Sequence, residues 1–160
     1  MHPRHVYLLR HAKAESANSK HLDEDRALTV RGVDDAKKLA SKLIKKGIVF
    51  DLILTSPAIR AITTAQIIAH KIDYQQRHLK VEKRLYQANP DHFLMILTKL
   101  HKKIKKILIV AHNPGLEEFS EMLAGESVSM QTCSLVEFSF DLKDWKDLDK
   151  IHTVELTILN

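Results

Sequence analysis

Val6-Tyr7-Leu8-Leu9-Arg10-His11 decides the fold class: four apolar residues end abruptly at a cation and an imidazole. A short continuous apolar run bounded by polar residues reads as a buried strand, here over residues 5–9. Ile107-Leu108-Ile109-Val110-Ala111 ends in the same way at His112, and residues 51–55 (with Leu52-Ile53-Leu54) end at Ser56-Pro57. Amphipathic segments separate these runs. Residues 29–46 have a helical stripe of Ala36, Leu39, Ala40, Leu43 and Ile44, with Thr29 as cap and Gly47 as stop. Three later helices are expected to open on a capping residue followed by proline: Ser56-Pro57, Asn89-Pro90 and Asn113-Pro114. Their stripes are Ile62, Ala65, Ile68, Ile72; Phe93, Leu97, Leu100, Ile104; and Leu116, Phe119, Leu123.

A short strand near residues 79–82 fits between the second and third of these helices. Residues 134–140 and 153–159 alternate apolar with polar, as strands with one wetter face do. The polar stretch 141–150 reads as the turn between them, and 12–27 as a polar loop. Strands alternating with helices predict a three-layer α/β/α domain over residues 1–160, with a mixed, mainly parallel central sheet.

The chain has 160 residues, 44% hydrophobic and 28% charged, as expected of one globular domain. No apolar stretch approaches the ~18 residues that span a bilayer, and no secretory leader is evident, so a cytoplasmic location is expected. A lone cysteine, Cys133, excludes an internal disulfide and agrees with a reducing compartment. The net charge of +5 is densest at Lys37-Lys38, Lys102-Lys103 and Lys105-Lys106. Aromatic residues do not interleave with these lysines as a stacking platform requires, so the basicity reads as solvated helix faces and no nucleic-acid partner is expected.

In open α/β sheets ligands bind beyond the carboxyl ends of the strands, where Arg10, His11 and His112 are expected. A neutral imidazole is nucleophilic near pH 7, and guanidinium groups take phosphate oxygens through paired N–H bonds. Ser56-Pro57 places Arg60 about one turn into a helix, near its positive end. The ten histidines include no pair at metalloprotease spacing around a glutamate, and one cysteine cannot build a thiolate cluster. No metal or cofactor is expected, and Cys133 reads as packing.

Leu8-Leu9-Arg10-His11-Ala12-Lys13-Ala14-Glu15 resembles the signature of the histidine phosphatase, or phosphoglycerate-mutase-like, superfamily. Arg26-Ala27-Leu28-Thr29 with Gly32, Ser56-Pro57-Ala58-Ile59-Arg60-Ala61 with Thr64-Ala65, and Val110-Ala111-His112-Asn113-Pro114 continue the resemblance in order. The compact length is most similar to the SixA-type phosphohistidine phosphatases. The resemblance implies His11 as the nucleophile that carries a transient phosphoryl group. It implies Arg10, Arg60 and His112 as clamps on the oxygens, the arginines and second histidine supplying positive charge. The Asn113 amide adds a donor.

Two positions depart from the common pattern. Ala12 stands where glycine is usual, and alanine would be strained if the turn required positive φ. The general acid has no clear match: Glu82 is the first candidate, with Asp91 and Glu15 behind it. A site without a placed acid favours an imidazole leaving group over an alkoxide. Only 51 residues separate Arg60 from His112, which leaves no insertion for a lid. The expected substrate is therefore phosphohistidine on a protein partner. The alternatives are a broad small-molecule phosphomonoesterase on the same fold and a non-catalytic phosphate-binding module.

Overall fold

The computed structural model describes residues 1–18, 20–151 and 154–159. Six strands form one sheet: β1 (Pro3–Arg10), β2 (Leu52–Thr55), β3 (Lys80–Val81), β4 (Lys106–Ala111), β5 (Leu135–Asp141) and β6 (Glu155–Ile158). Their order across it is β3-β2-β4-β1-β5-β6. Strands β1 to β4 are mutually parallel, whereas β5 is antiparallel to β1 and β6 to β5. The sheet is thus mixed and mainly parallel, as the apolar runs require. Thr153, the first residue expected in the last strand, lies outside the described residues.

Because side chains alternate across a strand, each apolar run feeds two cores. Val6, Leu8, Ile107 and Ile109 pack with helices α3 (Pro90–Thr98) and α4 (Gly115–Ala124). Tyr7, Leu9, Leu108 and Val110 face α1 (Val30–Lys45) and α2 (Ile59–Lys71) on the other side. Among the described residues no helix is long and apolar enough to cross a membrane.

Several local expectations need correction. Ile44 is 52% exposed and does not belong to the inner stripe of α1. Helix α3 stops at Thr98, so Leu100 and Ile104 pack against the core from the segment beyond it. The 141–150 turn carries its own anchor, a 3-10 segment Trp145–Lys150. Trp145 in it is fully buried and donates its indole N–H to the Ile104 carbonyl at 2.7 Å.

Of the three cap-and-proline starts, only Asn89-Pro90 behaves as expected: the Asn89 side chain accepts the His92 amide, and the His92 ring accepts the Asn89 amide. Helix α2 begins at Ile59 because Ala58 keeps an extended backbone (ψ 138°), although the Ser56 hydroxyl accepts the Ala58 N–H at 3.2 Å. Arg60 is consequently the second residue of the helix. Helix α4 begins at Gly115, after a cis Asn113–Pro114 bond, and Asn113 turns its side chain to the Met130 carbonyl instead of capping.

Register positions the site. Arg10 pairs with Ala111 across β1 and β4, and Thr55 with Val110 across β2 and β4. The residues that follow, His11, His112 and Ser56, therefore emerge side by side from three parallel strand ends. Backbone bonds continue the ladder one step further, His11 N–H to Ala111 at 3.2 Å and Ser56 N–H to Val110 at 3.0 Å.

Candidate active site

The His11 and His112 rings lie 5.1 Å apart, centre to centre, and both residues are buried. His11 Nδ1 is 2.7 Å from its neighbour's carbonyl, that of Ala12. A carbonyl only accepts, so Nδ1 carries the proton and Nε2 keeps its lone pair. The Ala12 peptide is itself held: its N–H donates to the Thr64 hydroxyl at 3.0 Å, which donates to the Arg60 carbonyl at 2.7 Å. Ala12 is not among the residues with positive φ, so this alanine fits its turn without the strain that a left-handed conformation would bring. Left-handed backbone occurs instead at Gln87 and Cys133 nearby. The Cys133 N–H caps the Arg10 and His11 carbonyls together, at 3.0 Å each. Burial pushes the Cys133 thiol up to about 12, which leaves it protonated and unreactive.

Burial lowers the His11 pKa to about 4, and the charges of Arg60, Arg10 and Arg26 push the same way against the Ala12 hydrogen bond. His112 falls to about 3, through burial first and then through His11 and Arg60. Both rings are neutral at pH 7. In the free protein His112 thus has an N–H to offer but not the positive charge expected of it.

Arg60 is buried, and its guanidinium meets Asp23 at two points: the backbone carbonyl at 2.7 Å and the carboxylate at 3.0 Å. Asp23 opens a 3-10 turn (Asp23–Asp25) that folds the 12–27 loop back over the strand ends. The Tyr86 hydroxyl donates to the same carboxylate at 2.6 Å, and Arg26 holds its other oxygen at 3.0 Å. Tyr86, then Arg60 and Arg26, keep Asp23 far below the usual carboxylate range. The Tyr86 ring stands edge-on to His112 at 5.7 Å. Asp23, Arg60, Tyr86 and His112 open onto a pocket of about 440 Å³, also walled by Gln87, Asn113 and Glu118.

Arg10 donates to the Met130 carbonyl at 3.1 Å, and the Asn113 amide donates to the same oxygen at 2.7 Å. One N–H of the Asn113 amide is therefore engaged by the protein, and one is left to donate. Among the described residues five buried side-chain nitrogens or oxygens have no partner. Four of them belong to Arg10, Arg60, His112 and Asn113. Buried polar atoms are rarely left unpaired, and three of these four are nitrogens on cationic or imidazole side chains, the chemistry of a cradle for an anion.

Glu82 is not brought to this cluster. Its carboxylate caps the short turn after β3, accepting from the Arg84 amide at 3.2 Å and guanidinium at 2.9 Å. Asp91 lies in the first turn of α3, and Glu15 lines a separate depression beside Arg26. Sequence reasoning missed Asp23 and Tyr86. The only available signal was Arg26-Ala27-Leu28-Thr29, which returns the loop past Ala14 through an Ala14–Leu28 bridge. Among the described residues no three His, Cys, Asp or Glu side chains group as a metal site.

A mixed sheet with paired histidines beyond its parallel strands defines an α/β protein of the phosphoglycerate-mutase-like class. The crystal structure of SixA from Agrobacterium tumefaciens matches with a TM-score of 0.78 and 28% identity, over 85% of this chain and 91% of that one. A family model of the histidine phosphatase superfamily (branch 1) matches residues 6–89, and the chain belongs to that superfamily. An uncharacterised chloroplastic protein of Arabidopsis thaliana is 30% identical over 139 residues, 82% of this chain and 64% of that protein. The mitochondrial serine/threonine-protein phosphatase Pgam5 of Drosophila persimilis is 38% identical over 79 residues, 49% of this chain and 27% of that protein. The chain spans less than two thirds of the length of either relative.

Proposed function

We propose that this chain is a phosphatase that works through a phosphohistidine on His11, with phosphohistidine on a partner protein as its substrate. The observation that carries this reading is the His11 tautomer: Nδ1–H is tied to Ala12, which leaves Nε2 as a neutral nucleophile beside unpartnered donors. In the first step Nε2 forms a bond to phosphorus as the substrate's nitrogen–phosphorus bond breaks; the leaving ring keeps the bonding pair and departs as neutral imidazole, its other nitrogen already carrying a proton. Arg10, Arg60 and the His112 N–H meet the charge on the transferring oxygens, which is most of what a loose phosphoryl-transfer transition state needs. Water then attacks the phosphorylated His11 and releases inorganic phosphate.

The leaving group follows from Asp23. Its carboxylate bonds Arg60 of the clamp directly, and it is held ionised by Tyr86, Arg60 and Arg26. An ionised carboxylate has no proton to give. An alkoxide needs one to depart, whereas imidazole has an ordinary pKa of ~6.5 and leaves far more readily. The SixA neighbour supports a protein-borne substrate. So does the name of the Pgam5 relative, which favours phosphoserine or phosphothreonine as the second reading.

A substrate panel tests both readings: a phosphohistidine protein, a phosphoserine peptide, sugar phosphates and an aryl phosphate. The phosphohistidine protein should turn over fastest, and acid-labile phosphate should be trapped on wild-type protein but not on His11→Ala. Faster turnover of sugar phosphates would reject the proposed substrate, and turnover by His11→Ala would reject the mechanism.

A further inference from the structure

Two neutral imidazoles whose centres lie 5.1 Å apart could compete for the same phosphorus. The geometry points to Ser56 as the positioning residue that assigns their roles: its hydroxyl fixes the His112 tautomer, making that ring an anion donor and leaving His11 as the sole nucleophile. This inference rests on the phosphatase reading above and adds a residue to it.

Ser56 is fully buried, and its Oγ has two neighbours: the Ala58 N–H at 3.2 Å and His112 Nε2 at 2.7 Å. A hydroxyl carries one hydrogen and two lone pairs. The Ala58 amide can only donate, so it takes a lone pair of Oγ. The remaining acceptor within reach of the Ser56 hydrogen is His112 Nε2. If Nε2 carried the proton instead, Oγ would receive two donors and its own hydrogen would be stranded in the interior. Leaving a buried donor unpaired forfeits a hydrogen bond with no water to replace it, which selects one tautomer. Ser56 therefore donates, Nε2 accepts, and the His112 proton sits on Nδ1.

That atom is buried and has no partner among the described residues. As N–H it can bond a phosphoryl oxygen; as a bare lone pair it would repel one. The same assignment removes His112 from competition, since Nε2 is occupied and Nδ1 is protonated. In His11 the pattern is reversed, because the Ala12 carbonyl holds Nδ1–H and leaves Nε2 open. Two hydrogen-bond partners of opposite sense, a carbonyl and a hydroxyl, thus divide one residue type into attacker and clamp.

Long-range proton–nitrogen NMR on histidine-labelled protein reads each tautomer directly, without any substrate. Wild type at pH 7 should show His112 protonated at Nδ1, and Ser56→Ala should populate the Nε2–H form. Inhibition by inorganic phosphate should weaken about tenfold in Ser56→Ala. Turnover of the substrate identified by the panel should fall on the order of 10²-fold in kcat, with less effect on KM, as for loss of one charge-stabilising donor. Ser56→Thr, which keeps the hydroxyl, should restore the tautomer and most of the rate. An Nε2–H tautomer in wild type overturns the inference, and so does an unchanged tautomer in Ser56→Ala. If wild type shows the Nδ1–H form yet hydrolyses no phosphate in the panel, the phosphatase reading fails while the assignment by Ser56 stands.

Discussion

The Arg60 guanidinium holds Asp23 through one N–H to its backbone carbonyl, 2.7 Å away, and a second to its carboxylate, 3.0 Å away. An arginine fork suits a carboxylate as well as it suits a phosphate, so the chain supplies its own anion to the clamp. Phosphate must compete with this contact or share Arg60 with it. In Asp23→Asn the carboxylate charge is gone and the repulsion with an incoming anion is lower. Inhibition by inorganic phosphate or tungstate should therefore tighten several-fold in Asp23→Asn. Weaker inhibition would show that Asp23 orients Arg60 for the anion and does not oppose it.

Tyr86 has a separable part in the same contact, since its hydroxyl donates to Asp23 while its ring walls His112. Tyr86→Phe keeps the wall and removes the donor. Phosphate inhibition in Tyr86→Phe should weaken slightly, opposite to Asp23→Asn, because the carboxylate keeps its charge and loses a donor that offsets it, with stability nearly unchanged. A large fall in thermal midpoint would show that the hydroxyl holds the 12–27 loop in place.

Both histidines have folded-state pKa values below the ordinary 6.5, about 4 for His11 and about 3 for His112. Between those values and 6.5 the unfolded chain binds more protons than the folded one. Each neutral ring thus contributes stability that is complete above pH 6.5 and is lost as pH falls toward 4 and 3. The loss is on the order of 3 kcal/mol for His11 and 5 kcal/mol for His112 at its full extent. The urea midpoint should drop between pH 7 and 4, and drop less in His11→Asn. Activity should hold from pH 7 to about 5, because the nucleophile stays unprotonated there. A kcat/KM that halves near pH 6.5 would contradict the lowered His11 value.

Much of this site was legible in the chain because strand ends are legible. Apolar runs that stop at His11, Ser56 and His112 mark three carboxyl ends, and parallel pairing in register sets those residues abreast. Asp23 and Tyr86 were not legible, because irregular backbone brings them in. The 12–27 loop has no periodicity to read, and its return over the site depends on Gly32 lying against the Lys13 backbone. Glu82 misled for a related reason. A carboxylate at a strand end reads as a site residue until a neighbouring arginine, here Arg84, is seen to occupy it. The proline starts misled for two reasons: Ala58 stays extended even though Ser56 accepts its N–H, and Asn113 turns its side chain to the Met130 carbonyl.

Gly115 shows how closely the second wall of the pocket is built. A Cβ there would lie 2.1 Å from the Ala88 carbonyl oxygen and 3.3 Å from the Phe93 ring. The first of these is backbone and cannot rotate aside. Gly115→Ala must push α4 away from the Gln87–Ala88 segment, and His112 precedes that helix by three residues. Overpacking of this kind costs about 1–3 kcal/mol. Gly115→Ala should lower both the thermal midpoint and kcat, whereas Gly125→Ala, with open space around it at the end of α4, should strain only its own backbone (φ 74°) and spare kcat. Equal loss of kcat in the two variants would remove the link between this contact and the site.

Arg4 sits at the amino end of β1, six residues from Arg10 at the carboxyl end, and the two arginines should separate stability from activity. Arg4 is 1% exposed, and its guanidinium donates to the Lys102 and Lys143 carbonyls at 3.0 Å each and lies 5.9 Å from the Trp145 ring centre. Carbonyl dipoles and an aromatic face thus compensate its charge where a carboxylate ordinarily would. It ties the segments before β4 and after β5 to the first strand. Arg4→Met fills the space but leaves those carbonyls without their donors, at a cost of about 2–4 kcal/mol. For a chain of this size that is a fall of roughly 5–15 °C in thermal midpoint. Turnover per folded molecule should stay within about twofold of wild type, since Arg4 is not among the residues that line the pocket. A stable Arg4→Met with reduced turnover would place Arg4 in communication with the strand ends and contradict its assignment as a structural tie.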